Sequence, residues 1–125
     1  MSDSDDRSVN ELYTGLGAVY AMLITICGNL PIPVSLPTGI VTGDEAADAV
    51  RRVTELLTEI PLPDEQLSML SAGATMWLCA TDMLGLIHGG EFEKYRALGG
   101  TAMLVMAQEA LLDLARWQNE QANGS

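Results

Sequence analysis

The sequence predicts an all-α protein: one domain, a four-helix bundle-like fold with helices 1, 3 and 4 central and helix 2 peripheral. Apolar residues recur at three- and four-residue spacing in four segments, and breaks bearing Pro or Gly separate them. The chain holds seven Met and a single Phe among many Ala and Leu, a mixture that favours helix over sheet. No internal repeat and no strand-like alternation longer than a few residues is present. A length of 125 residues with 48% hydrophobic content suits a single domain that buries its own core.

Helix 1 is expected to begin near Ser8, where "SVNE" reads as a capping box between Ser8 and Glu11. Residues 1–7 would then be a disordered acidic tail. The helix should run to about Cys27, with Gly28 and Asn29 ending it and Pro31 forbidding resumption. Helix 2 opens with a similar signal, "TGDE" at Thr42–Glu45, and ends at Ile60 before "PLP". Helix 3 enters through Asp64 after Pro63 and runs to His88, where Gly89 and Gly90 follow. Helix 4 starts near Glu91 and runs to about Gln121, with a bend or interruption expected at Gly99-Gly100. The domain therefore spans 8–121, and 122–125 is a flexible end.

The helices differ in how much surface they must hide. Helix 2 is one-sided: Ala46, Ala49, Val53, Leu56, Leu57 and Ile60 make an apolar stripe, and Asp48–Arg52 and Arg51–Glu55 are placed to pair opposite it. Helix 1 is apolar nearly all round. Leu12, Leu16, Val19, Leu23, Ile26 and Leu30 form one stripe, and Tyr13, Tyr20, Ile24 and Cys27 a second. Small residues Thr14, Ala18, Ala21, Thr25 and Gly28 form a third. Helix 4 shows Met103, Met106, Ala110, Leu114 and Trp117 on one face, beside Leu104 and Leu111.

A helix apolar on every side must be surrounded. Helix 1 and helix 3 both have this character, and three neighbours cannot cover both. The excess points to a partner subunit or a ligand, with a homodimer through the spare face of helix 1 or helix 3 the simplest expectation. The segment 29–43, "NLPIPVSLPTGIVTG", is a long apolar loop; it is expected to pack down as a cover, with a lid over a pocket as the alternative.

The net charge of −11 opposes binding to nucleic acid and to anionic membrane surfaces. Leu12–Leu30 is uncharged and long enough to span a bilayer. Its interior Gly and polar residues, and the lack of a flanking Lys or Arg cluster, argue instead for a buried core helix. The acidic start lacks the positive region of a secretory signal. Cys27 and Cys79 fit no metal spacing and read as free thiols in apolar helices, consistent with a reduced, cytoplasmic setting. One Lys against five Arg, with many Ala, is the composition of a high-GC bacterial source.

The most informative stretch is "MWLCATDMLGLIHGG" at 76–90. Asp82 is the sole charged side chain between Glu65 and Glu91. Reading back at helical spacing from Asp82 gives Cys79, Thr75, Ser71 and Ser68, a seam of small hydroxyl- and thiol-bearing residues. The opposite stripe, with Leu70, Ala74, Trp77, Leu84 and Ile87, is core. Asp82 is expected to be buried and to need a partner. Either the seam seats another helix, or Ser71, Thr75, Cys79 and Trp77 wall a ligand pocket that ends at Asp82.

In the second case Asp82 serves as general acid/base or ligand anchor, with His88 as a candidate proton carrier. Otherwise His88 caps the end of helix 3. No Ser-His-Asp set, phosphate loop, dinucleotide fingerprint or metal pattern occurs, so no cofactor and no metal is expected. The leading expectation is a small acidic binding or accessory protein, homodimeric, working through apolar surface or an apolar inter-helix pocket toward a small molecule or protein partner. The rival is a small cofactor-independent enzyme, or a small-molecule binder, built on Asp82.

Overall fold

The computed structural model describes residues 2–124. It is 80% helical and contains no strand among the described residues. Four α-helices follow one another: α1 (Asp3–Gly28), α2 (Gly43–Glu55), α3 (Asp64–Gly89) and α4 (Lys94–Asn123). A single 3-10 turn, Leu57–Glu59, follows α2. The most extensive contacts join α3 to α4 and α1 to α4, while α2 lies against α3 at the periphery.

The α1 stripe Leu12, Leu16, Val19, Leu23, Ile26 and Leu30 is buried along its whole length. It meets Leu70, Ala74, Trp77, Ala80 and Ile87 of α3 and Leu104, Ala107, Leu111 and Leu114 of α4 in one core. Helix α2 adds Ala46, Ala49, Val50 and Val53. Three glycines set how closely the long helices approach. A Cβ placed on Gly73 of α3 would lie 2.5 Å from Leu111 Cγ; one on Gly100 of α4 would lie 2.8 Å from Leu12 Cδ1; one on Gly15 of α1 would lie 2.9 Å from Leu104 Cδ1. Each leucine therefore occupies the space that a side chain on the facing glycine would need.

Two hydrogen bonds between helices reinforce this packing. The indole Nε1–H of buried Trp77 donates to the Leu16 carbonyl at 2.9 Å, which satisfies its polar atom inside the core. The Gln118 amide donates to the Ile26 carbonyl at 3.1 Å, a carbonyl in the last turn of α1 that also accepts from the Asn29 amide.

Several expectations are corrected. Helix α1 begins at Asp3, not Ser8. The capping box is built one motif earlier: Ser2 Oγ accepts from the Asp5 amide at 3.2 Å and the Asp5 carboxylate accepts from the Ser2 amide at 3.4 Å. Asp3, Asp5 and Asp6 then stand in the first turn, where the helix dipole favours anions. The Ser8 hydroxyl instead donates to the Ser4 carbonyl at 3.0 Å inside the helix, and residues 3–7 are helical rather than a disordered tail. At the other end α4 continues through Asn123. Met1 and Ser125 lie outside the described residues.

Helix α4 is also continuous through Gly99-Gly100, without the interruption expected as one alternative, and Gly100 packs against Leu12. The ion pairs are i,i+3 rather than i,i+4: Arg51 meets Asp48 at 2.7 Å and Arg116 meets Asp113 at 3.4 Å, all four side chains more than half exposed. Such exposed pairs contribute little. Finally, the third stripe of α1 (Thr14, Ala18, Ala21, Thr25, Gly28) faces solvent rather than a neighbour.

The glycines divide into two kinds, and substitution separates them. Gly73→Ala is expected to cost on the order of 1–3 kcal/mol through overpacking against Leu111, despite the better helix propensity of Ala. Gly17→Ala, where a Cβ meets nothing within 4 Å, is expected to add about 0.5–1 kcal/mol. Urea denaturation of the two variants beside wild type checks both signs.

Candidate functional site

The second stripe of α1 lines a largely apolar concavity. Tyr13, Tyr20 and Ile24 face a cleft of about 440 Å³, floored by Leu16 and Gly17. Trp77, Thr81 and Leu84 of α3 form the opposite wall, and the segment 37–43 with Ala46 of α2 closes the far side. Tyr20 and Trp77 lie side by side with ring centroids 5.6 Å apart.

The hydrogen-bonding atoms of this wall are largely engaged within the protein. The Tyr20 hydroxyl donates to the Pro37 carbonyl at 2.7 Å, the Trp77 indole to Leu16, and the Thr81 hydroxyl to the Trp77 carbonyl at 3.0 Å. Thr42 Oγ1 accepts from the Glu45 amide as the cap of α2. None of the lining residues carries a formal charge. Burial, with the Cys27 thiol and the Glu45 carboxylate, raises the Tyr20 hydroxyl above its ordinary pKa, so it stays neutral and keeps its hold on the loop.

The loop 29–43 packs only in part. Leu30 and Leu36 are buried, and the Val34 amide donates to the Cys27 carbonyl at 2.9 Å. Ile32 is largely exposed, and Ile40, beside the cleft, stands wholly in solvent. Gly39 precedes it with φ +82°, a left-handed conformation that Gly adopts without a steric cost.

The structure separates the residues proposed for the polar seam. Ser68, Thr75 and Asp82 are exposed, and Ser71 and Cys79 are half-buried. Ser71 and Thr75, with Ser68, Ala72 and Met76, line a shallow depression of about 300 Å³ that includes neither Cys79 nor Asp82. Trp77 faces the other way, into the cleft. The expectation that Asp82 is buried and partnered is thus corrected. The core stripe of α3 turns largely inward as expected, and its small polar side is left exposed or half-buried, with Asp82 reaching water, where a carboxylate needs no counter-charge.

His88 does not cap α3. Its Nε2 hydrogen-bonds the Tyr13 hydroxyl, with ring centroids 5.9 Å apart, at an exposed site where α1 and α3 meet. Cys27 is buried, and burial pushes its thiol up to about 11, so it acts as a small hydrophobe rather than a nucleophile. Among the described residues no group of three or more His, Cys, Asp or Glu side chains is placed to hold a metal ion.

A second feature was missed in the sequence. Tyr95, Leu98, Ala102, Val105 and Leu112 recur along α4 at three- and four-residue steps on its solvent side, with Glu109 interrupting the row and Met106 alongside. Five of the nine exposed large apolar side chains among the described residues lie here. The periodicity was present, but Met103 and Met106 placed the inward face of α4 one position off. The inward line is Ala97, Gly100, Leu104, Ala107, Leu111 and Leu114, and Met106 is exposed.

No family model, no curated protein and no solved structure matches this chain. By length and composition α1, α3 and α4 could each cross a membrane: each holds an 18-residue window of mean hydropathy 1.2–1.3, of which one third is buried inside the fold. That composition stands against the expectation of a cytoplasmic protein.

Because Asp82 is exposed, Asp82→Asn is expected to change stability by no more than about 0.5 kcal/mol, as surface substitutions generally do. Chemical denaturation at neutral pH reads this directly. A loss on the order of 3–5 kcal/mol would mean that the carboxylate is buried against a partner after all.

Proposed function

We propose that the protein is a small helical binding or accessory module that works as a homodimer, with the exposed side of α4 as the dimer surface. The supporting observation is the row Tyr95, Leu98, Ala102, Val105 and Leu112, with Met106 beside it, on the outward side of α4. Scattered exposed apolar residues are ordinary, but a row at heptad spacing, here broken once by Glu109, is the pattern of a helix that meets another helix.

The row is self-complementary. Two α4 helices packed antiparallel about a two-fold axis near Ala102 and Val105 place Tyr95 of each opposite Leu112 of the other. The same register sets Ala102 against Val105, and brings Arg116 toward the end that carries Glu91 and Glu93. Glu109 lies within the row, between Val105 and Leu112, and falls opposite Leu98. Opposite charges at the ends and apolar residues at the centre are the arrangement that fixes one register.

Burying these faces would also let the protein remain in aqueous solution despite its hydropathy. A cytoplasmic location is part of this reading, supported by the net charge of −11 and by Glu109, Asp113, Arg116 and Glu120, all exposed on α4. Charged groups at those positions would be costly against lipid.

Sedimentation velocity across a concentration series, without detergent, tests this. The wild-type chain is expected to sediment as a dimer at micromolar concentrations. Val105→Lys, which puts a charge at the centre of the face on a residue outside the core, is expected to give a folded monomer. A wild-type chain that stays monomeric throughout the series, or a Val105→Lys variant as dimeric as wild type, contradicts the proposal.

A further inference from the structure

We infer that the cleft between α1, α3 and the 37–43 segment is a binding site for a neutral, predominantly apolar small molecule carrying an aromatic ring. It is separate from the α4 face, and its existence does not depend on dimerisation.

The chemistry of the lining selects this class. Tyr13 and Tyr20 of α1 present ring surface to the cleft, and the largely buried Trp77 backs Tyr20 with ring centroids 5.6 Å apart. The Tyr13 hydroxyl is hydrogen-bonded to His88, the Tyr20 hydroxyl to Pro37 and the Trp77 indole to Leu16, so ring surface rather than free hydrogen-bonding groups faces the space. An aromatic ligand gains most from such a wall through offset or edge-to-face contact. A carboxylate or phosphate would meet no Lys, Arg or His in the lining and would be repelled by the net charge of −11. A cation would meet no carboxylate there. At about 440 Å³ the cleft lies in the range of small-molecule pockets, which are mostly apolar with a few placed polar groups.

The floor of the cleft includes a glycine. Gly17 sits in the interior of a 26-residue helix, where Gly is less favourable than Ala by roughly 0.5–1 kcal/mol. Close packing does not require it there, unlike Gly15, Gly73 and Gly100, since a Cβ on Gly17 meets nothing within 4 Å. Gly39 and Gly43, on the opposite rim, are likewise open. The cleft is therefore lined at three positions by residues with no side chain to fill it. Ile40, wholly exposed next to Val41 of the lining, extends its apolar rim outward.

Two probes that differ by one charge test the inference on the full chain. N-phenyl-1-naphthylamine is neutral, and 8-anilinonaphthalene-1-sulfonate adds a sulfonate to nearly the same rings. Titration followed by probe fluorescence is expected to show saturable binding of the neutral probe, at least tenfold tighter than the sulfonate. Gly17→Leu, at a position where a Cβ meets nothing within 4 Å, fills the floor and is expected to weaken the neutral probe at least tenfold, with unchanged helical circular dichroism. Thr81→Leu, filling from the α3 wall, gives the same readout should Gly17→Leu fail to fold. Val105→Lys, on the α4 face, is expected to bind the probe as wild type does.

The inference is overturned by an absence of saturable binding to wild type, or by sulfonate binding as tight as that of the neutral probe. It is equally overturned if the filled variants bind unchanged, or if Val105→Lys abolishes binding, which would place the probe on the α4 face. None of these outcomes bears on whether wild type forms a dimer, so the two proposals stand or fall separately.

Discussion

The closeness of α4 to both of its neighbours is the constraint on which the structure rests. Leu111 seats over Gly73 on α3, Leu104 over Gly15 on α1, and Leu12 of α1 over Gly100 on α4. At all three points a leucine side chain fills the volume that a Cβ would take. Interiors packed to crystal-like density do not tolerate even one extra carbon without displacement. The three contacts therefore hold α4 in one rotational setting, and that setting decides which of its residues face inward. The apolar row from Tyr95 to Leu112 faces outward because Leu104, Leu111 and Leu114 are held inward.

The same packing shapes the cleft. With α4 occupying one side of the α1–α3 pair, the second stripe of α1 is left to the short helix α2 and the loop before it. These bury their own Leu36 and Ala46 against the bundle but leave Tyr13 and Gly17 exposed. The Tyr20–Pro37 hydrogen bond ties the loop down at one point, and the Tyr13–His88 contact joins α1 to α3 near the end of α3. Much of the apolar surface that the bundle does not cover with its own helices thus falls in two places, a groove and a helix face.

Much of this was legible in the sequence. The four helices and their order follow from apolar periodicity and from Gly and Pro breaks, and the α1 stripe from Leu12 to Leu30 is buried as its spacing requires. Periodicity cannot decide between two apolar faces of one helix, and there the reading departed from the structure. The small polar side of α3 looked like a seam for a buried Asp82, yet the wider apolar side with Leu70, Trp77 and Ile87 took the core and left Asp82 in water. On α4 flexible Met side chains at 103 and 106 blurred the choice of face. The start of α1 was misplaced because two serine-led capping sequences lie within one short acidic stretch, and the earlier one is used. Gly17 carried no signal by itself, since only the neighbouring helices show whether a glycine makes room for a leucine or for open space.

The central claim, that glycine holes receiving leucines fix the setting of α4, is tested most directly by a double-mutant cycle on Gly73 and Leu111. In the wild-type background Gly73→Ala meets the Leu111 side chain and should destabilise. With Leu111→Ala the space is vacated, and the same glycine substitution should become neutral or stabilising, because Ala is the better helix former and partly refills the cavity. The account predicts a coupling energy of about 2 kcal/mol or more between the two positions, measured by urea denaturation of the four proteins. Additivity within about 0.5 kcal/mol would contradict it, since residues that do not share the same space have no reason to couple.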